Sequence, residues 1–456
     1  MKKTICYLLM TLLLVGGCSN KGADASIRTG TSAPQLAGIG TVSPLGEEKA
    51  PPTKTPAAED NGPTEESTVQ PSAPQTEGPA EKTPSIHGYE DFMNVLSAAV
   101  IDGKGNKNLS PVSVYLALAM TAEGAAGDTQ AELLSLLGAE KPEDLRASVE
   151  AMTGALSLAG ESGEVALANS LWMGIQDEEV TFRQTYLNTL AHSYDAEANA
   201  VRFDDPATGH RIAAWIQEKT RDKLKISDDA MQFDADTLAV LINTIYLKDG
   251  WRRPFEKRET KPDTFFGANG EELKVEYMHQ NSGHGVVFQG EGYLRYAMRL
   301  REVGSMVFVL PDEGVPLDSL LGSPERIEEL LHGGVEKKAD VDVKMPKFSF
   351  QDRTDLEETL MGLGVGTCFT AEADFSAMTD TPAHVSKVLQ ESCVGVDEDG
   401  VVAAAYTMVT LSKSTALHDE WERVDFHLTR PFLYAIEAKD GTVLFIGTVT
   451  APTAAK

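Results

Sequence analysis

Residues 400–416 read GVVAAAYTMVTLSKSTA, and what this stretch forms decides how the rest of the chain is understood. For about a dozen positions after Gly400 there is no charge, no proline and no further glycine. The stretch mixes β-branched residues with alanines, which is strand composition. Yet the run opens on Asp397-Glu398-Asp399-Gly400 and leaves through the polar KSTALHDEWER, as a loop does. In a strand, alternate side chains share a face. One such set is Val401, Ala403, Ala405, Thr407, Val409 and Leu411, all small or apolar, and the first charge is Lys413. The stretch is composed as a strand and bounded as a loop.

The 456-residue chain is long enough for a large core. Its formal net charge of −29 repels phosphate backbones, so nucleic acid is not an expected partner. The four cysteines are Cys6, Cys18, Cys368 and Cys393. The first two belong to an export signal; the other two make neither a disulfide framework nor a metal site and are expected reduced and partly buried. No Gly-x-Ser-x-Gly elbow, His-Glu-x-x-His, phosphate loop or Cys-x-x-Cys occurs. Gly362–Thr367, GLGVGT, lacks dinucleotide spacing and reads as a helix end. The nine histidines are scattered, among them His279, His284, His418 and His427. Nothing here points to an enzyme, a metal or a cofactor.

Lys2, Lys3 and the apolar ICYLLMTLLLV form a secretory signal over residues 1–17, too short for a membrane span. Val15-Gly16-Gly17-Cys18 resembles the lipobox of bacterial lipoproteins. That resemblance implies diacylglycerol on the Cys18 thiol and a membrane anchor at the cell surface. Residues 18–85 are rich in Pro, Thr, Ala and Glu and have no aromatics, so they are expected to be a disordered tether. About 67 such residues span roughly 45 Å as a flexible coil. The folded part is expected over 86–456. Helical periodicity marks GYEDFMNVLSAAVI, SPVSVYLALAMTAEGAAG, DTQAELLSLLG (capped by Asp128 or Thr129 and ended by Gly138), TFRQTYLNTLAHSY and HRIAAWIQEKTRDKL. Strand patterns mark GEVALANSLWMG, TLAVLINTIYLKDGW and most of the second half, with a hairpin turn at Lys439-Asp440-Gly441. Helices first and strands later argue an α+β fold.

Several strings, in order, resemble the serpin family of serine protease inhibitors. They are Asn106–Ser113 (NKNLSPVS), Gly124–Thr129 (GAAGDT), Leu241–Trp251 (LINTIYLKDGW) with Arg252–Phe255, Met345–Phe348 (MPKF), Asp374–Ser376, Val385–Val388, Arg430–Phe432 and Phe445–Gly447. Val396–Thr407 (VDEDGVVAAAYT) is similar to the family's hinge into the reactive centre loop. The resemblance implies a serpin fold, with helices packed around three β-sheets and an exposed reactive centre loop. It implies a monomer that traps a target serine protease, or alternatively a cysteine protease, as a covalent acyl complex, the cut loop inserting into the central sheet.

Residue by residue, the hinge carries over to Glu398, Gly400, Val401, Ala403, Ala404, Ala405 and Thr407. The polar network beneath the sheet and the opening above it carry over to Asn106, Ser110, Ser113, Asn243, Trp251 and Gln390. Sixteen residues from Glu398, the usual inhibitory spacing, put the scissile bond at Ser414–Thr415. A loop one residue shorter cuts at Lys413–Ser414 instead; Met408 or Leu411 as bait would leave much less strand to insert. The chain departs from the family at Val401 for Thr, at Ala213 for Asn and at Gln390 for His. Gln390 keeps a donor and an acceptor but does not titrate. The competing reading is a non-inhibitory binding module of the same fold that is cleaved as a substrate.

Overall fold

Leu109-Ser110-Pro111 turns the chain from a strand into a helix by local chemistry. The Ser110 hydroxyl accepts from the Ser113 N–H at 3.3 Å, and Pro111 sits in the first turn, where no backbone donor is needed. The helix that follows is buried along its whole length, as a helix apolar all round must be. It is seen in a computed structural model that describes residues 8–17, 88–156, 158–159, 163–175, 180–221, 224, 231–401 and 421–453. The segment expected to be a tether, Cys18 and positions 402–420, which include Ala403, Ala404, Ala405, Thr407, Lys413, Ser414 and Thr415, lie outside the described residues.

The helices are α1 (Tyr89–Val100), α2 (Pro111–Gly124), α3 (Gly127–Leu136), α4 (Pro142–Leu156), α5 (Gln184–Ser193), α6 (Ala207–Lys219), α7 (Pro324–His332) and α8 (Glu357–Gly362). The expected cap of α3 is not used. Asp128 lies inside its first turn, and the Thr129 hydroxyl accepts instead from the Asp374 N–H at 2.9 Å. The long-range bond wins because it satisfies a backbone donor of the loop packed against the helix. Gly138 does follow the helix end with φ 70°.

Two hydrogen-bonded sheets are formed by the described strands, numbered here in chain order. The first holds β1 (Leu8–Gly17), β3 (Leu158–Ala159), β4 (Gly163–Gly174), β5 (Ala196–Val201), β6 (Thr237–Gly250), β12 (Phe348–Asp355), β13 (Ala383–Val396) and β14 (Gly400–Val401). The second holds β2 (Lys107–Leu109), β7 (Lys261–Phe266), β8 (Glu272–Gly290), β9 (Tyr293–Arg299), β10 (Gly304–Pro311), β11 (Val335–Pro346), β15 (Arg423–His427), β16 (Phe432–Ala438) and β17 (Val443–Val449). Glu272–Gly290 runs unbroken as one 19-residue strand, β8. Because β8 pairs with β7 and β11 and also with β9, two of the three implied sheets are continuous.

In the first sheet β6 and β13 are not paired with each other. The space between them is one strand wide, occupied at one end by β14 and along the rest by β1. The apolar run read as an export signal is therefore a strand here, antiparallel to both neighbours. The helix α2 packs behind this region, against β6 and β1.

Phe348 ties the sheets together. It begins β12, is 1% exposed, and its ring lies 6.0 Å from Phe432 and 5.8 Å from Tyr434 on β16. Aromatic pairs at such spacing add to the burial of the ring itself. Phe348→Ala is expected to cost about 3–5 kcal/mol in a denaturant melt, with the transition still cooperative.

Candidate functional site

The hinge begins where β13 ends, in a turn that the surrounding backbone holds closed. The Asp397 carboxylate accepts from the N–H groups of Asp399, at 2.9 Å, and Gly400, at 3.3 Å. The Trp251 indole donates to the Asp397 carbonyl at 2.9 Å, and its backbone N–H donates to the Asp399 carbonyl at 3.1 Å. Gly400 has φ 153°, and a Cβ there would fall 2.3 Å from the Asp249 carbonyl oxygen, so only glycine fits. Val401 then pairs with Val396 on β13, and also with Asp249 on β6. The hinge thus enters the slot already as a strand.

Glu398 is buried and accepts from Lys347 Nζ at 2.8 Å and Thr260 Oγ1 at 2.9 Å. Burial works against its ionisation, but these hydrogen bonds outweigh it and hold the carboxyl below its ordinary range. Next to it, Asp399 holds Lys257 at 2.7 Å. Burial instead raises the Asp397 carboxyl, with the two backbone donors opposing. Three adjacent carboxylates are thereby placed in three different environments.

Midway down the slot a chain of buried polar groups crosses from helix to sheet. The Ser113 hydroxyl donates to Asn243 Oδ1; Asn243 Nδ2 donates to Asn169 Oδ1 at 2.8 Å; Asn169 Nδ2 donates to the Tyr194 carbonyl at 2.7 Å. On the other flank Gln390 meets both backbone groups of Ser110, accepting from its N–H at 3.2 Å and donating to its carbonyl at 3.0 Å. Gln390 therefore fills its place by geometry that the amide supplies without titration. Ala213 lies buried on α6, and the partner that Asn243 needs comes from Asn169 on β4. Sequence reasoning missed Asn169; the only cue was an Asn in the middle of a largely apolar strand. Asn106 does not join this network. It binds the C-terminal end of the chain, accepting from the N–H groups of Thr450 at 2.8 Å and Ala451 at 3.0 Å.

Beyond the loop positions, β15 is fastened to β11 through buried Asp342. His279 Nε2 is 3.0 Å from Asp342 Oδ1; His427 Nε2 and an Arg423 nitrogen are each 3.0 Å from Oδ2. Burial disfavours this carboxylate, yet the imidazole bonds and the Arg423 charge keep it below the usual range. Asp342, Asp425 and His427 offer ligand atoms within 4.8 Å of one another. The Arg423 guanidinium, bonded to both carboxylates, supplies the cation at that place. Just before the strand, Trp421 stacks on His284 with ring centres 4.2 Å apart. Cys368 and Cys393 are buried and outside any disulfide, and burial pushes the Cys368 thiol up to about 12.

The hinge is thus paired at the head of a one-strand slot in an α+β topology. The family model for Serpin (serine protease inhibitor) matches residues 88–452, and the chain belongs to that family. It is 29% identical over 352 residues to human Serpin B9, covering 75% of this chain and 92% of that one. An uncharacterised serpin-like protein of Thermococcus kodakarensis is 30% identical over 388 residues, covering 82% and 87%. The native state of the thermophilic serpin tengpin superposes with TM-score 0.69 at 26% identity, covering 82% of this chain and 96% of that one. Membership supports a protease inhibitor rather than an enzyme.

Two measurements check this site. Asn169→Ala leaves Asn243 with a buried unmet donor and is expected to lower stability by about 1–3 kcal/mol, a larger loss than Ala213→Ser gives. Glu398 supplies the second. Its folded pKa lies below its unfolded value, near 4.3, so its contribution is complete above about pH 5 and disappears as pH falls through the lowered folded value. In Lys347→Met the melting temperature should lose that part of its dependence below pH 5.

Proposed function

We propose that this serpin is a membrane-tethered, single-use inhibitor of serine endopeptidases. The carrying observation is the hinge: Gly400–Val401 is bonded to both β6 and β13 at the head of the slot. A strand continuing from Val401 would lie between two central strands, where every backbone donor and acceptor finds a partner. The apolar alternation from Val401 to Leu411 suits that buried place, since a charge there would be taken out of water unpaired.

In this reading the protease serine attacks the carbonyl of Ser414, or of Lys413 in the alternative register. The acyl ester forms as the peptide bond to the next residue breaks. The cut loop then inserts from Val401 downward and carries the acylated protease to the far end of the sheet before water reaches the ester. Each inserted residue adds backbone bonds of roughly 0.5–1.5 kcal/mol net. The Asp342 cluster keeps β15 in place, so the loop's other end stays anchored until the cut. The export signal, lipid on Cys18 and the 18–85 tether place the inhibitor at the cell surface, its targets proteases that reach that surface.

The test is a panel of serine proteases incubated with the processed protein. An SDS-stable adduct and a released C-terminal peptide beginning at Thr415, or at Ser414, are expected. Clean cleavage with no adduct and no gain in melting temperature would instead establish the non-inhibitory substrate reading. Ala405→Glu, which puts a charge on the buried face of the inserted strand, should cut the adduct yield at least tenfold while cleavage continues.

A further inference from the structure

The slot that the loop needs is occupied in this structure by the chain's own N-terminal segment. Val401 lies opposite Val396 and Asp249. Continuing that antiparallel register one residue at a time would set Ala405 opposite Ser392 and Ile245. Leu9 lies opposite those two residues. Thr407 would face Gln390 and Asn243, which is where Thr11 lies, and Val409 would face Val388 and Leu241, which is where Leu13 lies. The coincidence holds on both neighbours through Leu14, where β1 slips by one residue against β13. Beyond that slip β1 still follows β13 to its first residue, Gly17 lying opposite Ala383.

Adjacent strands stand about 4.8 Å apart, so the space between β6 and β13 holds one strand and not two. Residues 8–17, LLMTLLLVGG, contain no charge and no proline, the same requirements that the loop sequence meets. We propose that this run, before it is removed, is an intramolecular plug of the insertion slot. The uncut chain is then unable to trap: a protease that cuts its loop finds no vacancy, and the acyl ester is hydrolysed. Cleavage of the chain ahead of Cys18 empties the slot and arms the inhibitor. Export and activation become one event, and chains that have not left the cell do not consume protease. This consequence rests on the trapping reading above, whereas occupancy of the slot does not.

The experiment uses the full chain. Leu8 is the register partner of Cys393, and facing residues of an antiparallel pair lie within reach of a disulfide. In oxidised Leu8→Cys, peptide mapping should find residues 8 and 393 linked; a folded chain without that link overturns the plug. In the full chain carrying Leu12→Asp and Leu13→Asp, one of two consecutive residues must face the core, so the segment is expelled. With a cooperative melt retained, its adduct yield with a susceptible protease should exceed that of the unaltered full chain at least tenfold. Equal, substantial yields from both overturn the plug as a control of trapping. A link with adduct from neither chain supports occupancy and overturns the trapping reading alone.

Discussion

A strand in the middle of a sheet needs partners on both edges, and the described structure is arranged around one place, between β6 and β13, where two separate segments meet that need. β6 and β13 are buried central strands held a strand's width apart. Unpaired backbone groups there would cost as much as lost hydrogen bonds, so some segment must fill the gap or the two strands must close on each other. The hinge supplies two residues of it, and the N-terminal apolar run supplies ten.

The remaining features hold that gap in shape. At its head, Trp251 bonds both sides of the Asp397–Gly400 turn, and Lys347 and Thr260 fix Glu398. At its middle, Ser110, Ser113, Asn169, Asn243 and Gln390 join α2 to both flanking strands and to β4 through buried hydrogen bonds. These bonds are directional, so they favour one spacing over others, which apolar packing alone does not. On the other side of the loop positions, one carboxylate, Asp342, fastens three strands. The described residues on either side of positions 402–420 are thereby fixed by polar clusters.

Much of this was legible beforehand where the determinants are local. Ser110-Pro111 starts α2, Lys439-Asp440-Gly441 turns the last hairpin, and TLAVLINTIYLKDG is the buried β6, because caps, turns and unbroken apolar runs act over a few residues. Asn169 was not legible, since an Asn in a strand declares no partner until Asn243 is placed opposite it by sheet register. Asn106 was misplaced for the same reason: its motif neighbours belong to the polar network, but its side chain turns toward residues 450–451, more than three hundred positions later. His279 and His427 looked unrelated, and only the pairing of β8, β11 and β15 brings both to Asp342.

By itself, the sequence determined which segments are able to be strands, which turns they make, and that two runs, residues 8–17 and 401–411, are both fit to be buried between apolar neighbours. Composition and alternation are enough for that, because they set what burial of each residue costs. Only the tertiary structure placed residues 8–17 on the backbone partners that a strand continuing from Val401 would also need. Their claims on the same backbone partners arise from the register that β6 and β13 impose from either side, and register between segments nearly four hundred residues apart is a property of the assembled sheet.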